Sequence, residues 1–288
     1  MKRTFLAKLQ ISARYSLIGA LLLVLGVPLY QLFVLIPSGY GDALTTLNST
    51  LRWINTHSFL FLGYRALLII AFALMLGLPF ALFRIIVAQE ILGREEDEEA
   101  GGDEGEEIDE QGENIEHGED APAQEKEEDG DQADGMPSFA WRGKGYAVIA
   151  AWTGWLGLIF FAGGTLASTI YLLSSASSIS PQGALTDNVA PLTGFFAILT
   201  FTVGGGLLAL SCLFFGAVIA RSGRNLWPTM WVTFGYLALT IAALMSGSAV
   251  EVAFAPTTGQ AILSTPAILL FALWVLWFAV MVVRLKPE

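Results

Sequence analysis

Two histidines and one cysteine are the only imidazoles and thiol in these 288 residues. His57 and His117 fall in separate polar stretches, so they do not jointly ligate one haem or copper centre. Cys212 stands alone, which excludes an intrachain disulfide and leaves a small apolar core residue or a reactive thiol as its readings. No HExxH, Walker loop, GxSxG or kinase signature occurs. The long apolar runs contain no Asp, against an intramembrane aspartyl protease. They carry no carboxylate, His or Lys at mid-depth, the usual mark of ion-coupled transport. These absences argue against an enzyme or a coupled pump, and the sequence implies no cofactor and no metal.

What is present is apolar. Hydrophobic residues make up 54% of the chain and mean hydropathy is +0.60, beyond the range of a soluble domain. Six stretches are long enough to cross a hydrocarbon core, which takes about 20 helical residues. They cover residues 16–36, 66–83, 146–173, 191–220, 230–247 and 266–283, and are called spans 1 to 6 below. Their Leu, Ala, Phe and Gly content without strict alternation predicts helices rather than barrel strands. The expected fold is an all-α integral membrane protein with six transmembrane helices. Span 1 follows Lys2, Arg3, Lys8 and Arg14; its apolar run is too long for a signal core, so a retained anchor is expected.

Charge divides the chain sharply. Residues 95–134 hold 21 of the 26 acids and one base, Lys126, for a net −20; the remaining five acids and 14 bases give +9. With almost no aromatic or branched apolar residues, this insert cannot bury enough surface to offset its ordering entropy, and disorder is expected. The expected organisation is a basic N-terminus (1–15), spans 1 and 2 with an outer amphipathic segment and a helical extension (16–94), the insert (95–134), and spans 3 to 6 (135–288).

Basic residues orient the bundle. Arg84 and Arg94 follow span 2, Arg142 and Lys144 precede span 3, Arg221 and Arg224 separate spans 4 and 5, and Arg284 and Lys286 follow span 6. The opposite connections, about residues 37–64, 174–190 and 248–265, carry only Arg52 and the bordering Arg65. A multi-pass protein of the plasma (inner) membrane is expected, with both termini and the insert cytoplasmic.

Outside, Leu44, Leu47, Leu51 and Ile54 recur at helical spacing after Asp42, a candidate N-cap. They predict an amphipathic helix on the membrane surface, with Trp53 and Tyr64 in the interface. Asn48-Ser49-Thr50 is a glycosylation sequon in the same stretch. Each outer connection also contains Pro, then Gly, then Ala-Leu or Ala-Ile, starting at Pro37, Pro181 and Pro256. Three related hairpins, or merely loops rich in Pro and Gly, would produce that pattern.

Candidate site residues form three groups. Gly163-Gly164 and Gly204-Gly205-Gly206 interrupt the middles of spans 3 and 4, and Gly247 ends span 5. Glycine weakens a helix by about 1 kcal/mol relative to alanine, so they mark either close helix packing or an unwound site. Thr165, Ser168, Thr169, Thr200, Thr202 and Ser211 would line such a site, or bond their own preceding turn. Arg65 and Arg84, 19 residues apart and so about 28 Å along a helix, are interface anchors or, for Arg65, a contact for an anionic substrate. Glu95, Glu96, Asp97, Glu98, Glu99, Glu127, Glu128 and Asp129 are the partner-docking candidates.

Trp152 with Trp155, and Trp274 with Trp277, share helix faces by their i, i+3 spacing. Most of the tryptophans are expected to anchor at the interface. The expected partners are the lipid bilayer and a basic protein at the insert, with a homo-oligomer compatible; like charge excludes nucleic acid. The leading reading is a non-catalytic subunit or scaffold of a membrane complex. The alternative is a small permease or channel for a neutral or apolar solute, with its path along spans 3 and 4.

Overall fold

The computed structural model describes residues 3–88, 138–178, 189–226, 229–254 and 263–284. The acidic insert and the Pro181 and Pro256 strings lie outside them. The described residues are helical apart from short turns, with no strand, and six helical stretches are long and apolar enough to span a membrane. They are Leu9–Leu35, Ser58–Ala88, Gly145–Ser177, Val189–Arg221, Thr229–Phe254 and Ser264–Val283. The chain is a multi-pass membrane protein, all-helical in its described spans. Helices satisfy their own backbone groups where lipid offers no partner, and that accounts for the single secondary-structure type.

The spans form a closed ring in chain order: each packs on the next, and span 6 returns to span 1. Ring contacts show that they alternate in direction. Phe234, early in span 5, stacks on Trp274 in the second half of span 6, while Ser248 late in span 5 meets Ser264 at the start of span 6. Because all consecutive spans are neighbours, the arrangement does not single out three hairpins.

Polar side chains and rings fasten the neighbours. Tyr30 donates to the Leu60 carbonyl (3.0 Å), Ser211 to Ala150 (2.7 Å), Thr202 to Ala249 (3.0 Å) and the Trp274 indole to Phe234 (3.1 Å). Such bonds contribute about 0.6 kcal/mol each on average in a bilayer. Phe72 against Phe161, with centroids 4.3 Å apart, joins span 2 to span 3.

Several local expectations are corrected. Span 2 is not one helix: it stops at Leu74, turns through residues 75–77 and resumes over 78–88. Pro79 is the cause, since it has no N–H and its ring would strike the Met75 carbonyl. That carbonyl instead accepts from Leu78 N at 2.9 Å. Gly77 lies against span 1 there, where a Cβ would stand 2.5 Å from Ser12 Oγ.

Span 3 runs unbroken through Gly163-Gly164 as Ser138–Ser177. Span 4 is continuous through its triple glycine as well, but Ile198–Gly204 is π-helical before the α-helix resumes at Gly205. Span 5 passes Gly247 and ends at Phe254. Glycine lowers helix propensity without ending a helix whose neighbours hold it.

Apolar packing is divided into two clusters. One fills most of the bundle and includes Phe72, Phe161, Phe215, Phe234, Phe271 and Trp274. The other lies at the end where residues 36–57 connect spans 1 and 2, called the cap end below, and contains Leu35, Leu51, Trp53, Ile54, Phe61 and Leu172. Exposed Arg14, Arg84, Arg221 and Arg284 fall toward the opposite end by this topology.

Candidate functional site

The cap is built by a short helix, Leu47–Thr56. It starts at Thr46, not Asp42: the Thr46 hydroxyl accepts from Ser49 N (3.2 Å) while Ser49 Oγ accepts from Thr46 N (3.1 Å). That reciprocal capping box satisfies two amides which otherwise lack partners. Leu51 and Ile54 are fully buried, and the helix packs on span 3 instead of laying its apolar face in lipid. Trp53 is buried too, not an interfacial anchor. Its indole donates to the Ser38 carbonyl at 2.8 Å, and its ring lies between Tyr40 (4.7 Å) and His57 (5.0 Å, nearly parallel). In the sequon, the Thr50 hydroxyl donates to the Ala43 carbonyl at 2.8 Å, within the cap.

Beneath this cap sits Arg65. Span 2 begins at Ser58, so Arg65 is seven residues into the helix, about 10 Å below its start. It follows Phe61 by four residues and precedes Phe72 by seven, on the stripe where both phenylalanines are fully buried. The stripe passes from the cap cluster to the main cluster, and Arg65 marks the seam. Its guanidinium lies 5.1 Å from the Phe61 ring centroid, within cation–π range. Its Nε is enclosed with no hydrogen-bond partner. A buried donor left unmade costs about 1–3 kcal/mol, more when charged.

Two tyrosines share this level. Tyr64 accepts a hydrogen bond from Gln31 Nε2 of span 1 at 3.0 Å, which leaves its own O–H free to donate. Tyr40 holds its proton above the usual range, chiefly because burial disfavours phenolate. Arg65 opposes the shift and Tyr64 adds to it, so the three groups sense one another. Sequence reading put Arg65 in view but missed Tyr40 and Gln31. The signal was there: Gln31 is the one amide in an otherwise apolar stretch ending span 1.

The other candidates disperse. Gly164 is buried against Thr200, where an added Cβ would collide with the threonine hydroxyl. At Gly204 a Cβ would stand 3.0 Å from Phe161 N, and across that contact one at Gly157 would stand 3.0 Å from the Gly204 carbonyl. Spans 3 and 4 therefore meet backbone to backbone at these glycines. Gly163, Gly205 and Gly206 have nothing within 4 Å of an added Cβ.

Thr165, Thr169 and Thr200 donate to carbonyls four residues back in their own helices, so their hydroxyls do not converge. One small void lies in the bundle beside Gly205, Ser248 and Ser264, and another beside Gly154, Ser211 and Trp274. Each is about 10 Å³, room for one water. Arg84 is exposed in the 78–88 helix. Glu95–Glu99 and Glu127–Asp129 lie outside the described residues. Cys212 is buried, and among the described residues no three His, Cys, Asp or Glu side chains gather as a metal site would require. No protein-family model, curated protein or solved structure matches this chain.

Proposed function

We propose that this protein is a subunit or scaffold of a membrane complex: a packed six-helix platform that presents a polyanionic segment to a basic protein partner. The observation that carries this reading is the closed, filled ring. Hydrogen bonds and aromatic contacts join its neighbours, spans 3 and 4 meet at glycine backbones, and the two voids beside Gly205 and Gly154 are each of single-water size. A platform needs such rigidity, whereas a solute path along spans 3 and 4 would require the Gly164–Thr200 and Gly157–Gly204 contacts to part. Charge supplies the docking half of the reading. Residues 95–134 concentrate −20 with only one base among them, and a basic surface meeting them is attracted strongly at low salt and weakly at high salt. In this reading the insert and both termini face the cytoplasm across the plasma membrane, where the basic flanks hold them.

The test is purification in mild detergent of the full chain and of a chain lacking residues 95–134, both verified as membrane-inserted. A stoichiometric basic partner should accompany the first, leave at high salt and be absent from the second. A lone homogeneous oligomer that conducts a neutral solute in liposomes, unaffected by the deletion, would overturn the scaffold reading in favour of the permease.

A further inference from the structure

At the cap end lies an arginine that forms no ion pair among the described residues. Arg65 makes no salt bridge or hydrogen bond among the described residues, and its Nε is enclosed. A guanidinium carries N–H donors in a planar fork suited to oxyanions. Asp42, the acid of the cap, is exposed on the short Tyr40–Ala43 turn and forms no ion pair among the described residues.

We propose that Arg65 is the centre of an anion site at the cap end that takes a phosphate group, with the Tyr64 and Tyr40 hydroxyls as further donors. Tyr64 has a free O–H because its oxygen accepts from Gln31, the Tyr40 hydroxyl has no hydrogen-bond partner among the described residues, and both rings pack in the same cluster as Phe61, over which Arg65 lies. A carboxylate's two oxygens lie in one plane and are matched by the planar guanidinium fork alone. A tetrahedral phosphate has oxygens directed to both the fork and the hydroxyls.

The same phosphate chemistry has two sources, a lipid headgroup or a free phosphate ester. Exposed Phe59 and Leu62 on span 2, with exposed Leu32 and Phe33 on span 1, flank this level with apolar surface suited to acyl chains. The site is independent of the acidic insert and stands or falls separately from the scaffold reading.

The experiment uses the full chain in a phosphate-free maltoside detergent. Thermal unfolding is followed by tryptophan fluorescence during titration with dioctanoyl phosphatidic acid, dioctanoylglycerol or inorganic phosphate. Phosphatidic acid should raise the midpoint where dioctanoylglycerol does not, since a ligand that binds only the folded state stabilises it. Stabilisation by inorganic phosphate as well assigns the site to free phosphate groups, and its failure assigns it to a lipid headgroup.

Arg65→Gln should weaken the effective ligand by about tenfold or more through loss of a charge-assisted pair, and Arg65→Lys should weaken it less. Should Arg65→Gln not fold, Tyr40→Phe, which removes a single oxygen, is expected to weaken binding a few-fold. Equal stabilisation by dioctanoylglycerol, no response to either phosphate probe, or unchanged binding in the folded variants would overturn the proposal.

Discussion

Trp274 is joined to Phe234 twice. Its indole N–H donates to the Phe234 carbonyl at 3.1 Å, and its ring stacks on the Phe234 ring with centroids 4.5 Å apart and planes 11° from parallel. Both residues are fully buried, so this pair locks span 6 to span 5 inside the bundle and does not anchor at an interface. Trp274→Ala should cost about 3–5 kcal/mol by removing a large packed ring. Trp274→Phe keeps a ring but loses the donor, and about 1 kcal/mol is expected. Reversible unfolding in mixed micelles measures both; equal, small losses would contradict the double linkage.

The glycines of span 4 should divide by position, although they are consecutive. At Gly204 a methyl group meets span 3 backbone at 3.0 Å, and backbone cannot rotate aside. At Gly205 an added Cβ meets nothing within 4 Å. Gly204→Ala should therefore lower the unfolding midpoint by several degrees, while Gly205→Ala should be neutral or mildly stabilising because alanine favours helix. Parallel thermal melts decide it, and the reverse order would mean that the span 3–span 4 seam is misplaced.

The cap helix depends on one hydroxyl. Thr46→Ala removes the acceptor for Ser49 N and should cost about 1 kcal/mol. Thr46→Ser keeps that acceptor and should cost little. Hydrogen exchange over residues 47–56 would show the loss locally. Exchange unchanged in Thr46→Ala would place the helix start elsewhere.

Tyr40 should ionise later than a free tyrosine. Its proton is held above the usual 10.0 mainly by burial, with Arg65 pulling the value down and Tyr64 pushing it up. A phenol raised in the folded state contributes stability that is intact below the unfolded value, near pH 10, and is lost as pH climbs through the folded value. Spectrophotometric titration should show a late-ionising component that Tyr40→Phe removes. Arg65→Gln should delay it further, because the opposing charge is gone. A titration curve unchanged by Tyr40→Phe at its late end, or unmoved by Arg65→Gln, would separate these two residues.

Composition alone was enough for the helical membrane class and the number of crossings. A bilayer imposes one dominant requirement, about 20 apolar residues with self-satisfied backbone, and that requirement is local to each run. The charge partition between residues 95–134 and the remainder is likewise a property of the sequence. Span limits were less legible: residues 58–65 and 248–254 contain Tyr, Arg, Ser and Glu, yet they continue helices because neighbouring elements cover or bond them.

Tertiary structure decided the meaning of individual residues. Glycine reads identically in sequence at 163, 164, 204 and 205, but only where another backbone presses against it does its missing side chain matter. Trp53 and Trp274 resemble interfacial anchors by composition, yet each is buried with its N–H on a carbonyl 15 or 40 residues away. Arg65 gained its interest in the same way. Helical periodicity places it on the stripe of Phe61 and Phe72, but only folding encloses its Nε and brings Tyr40 to its level. Lipid solvation is written along the chain, whereas the partner of a buried polar atom is set by long-range packing.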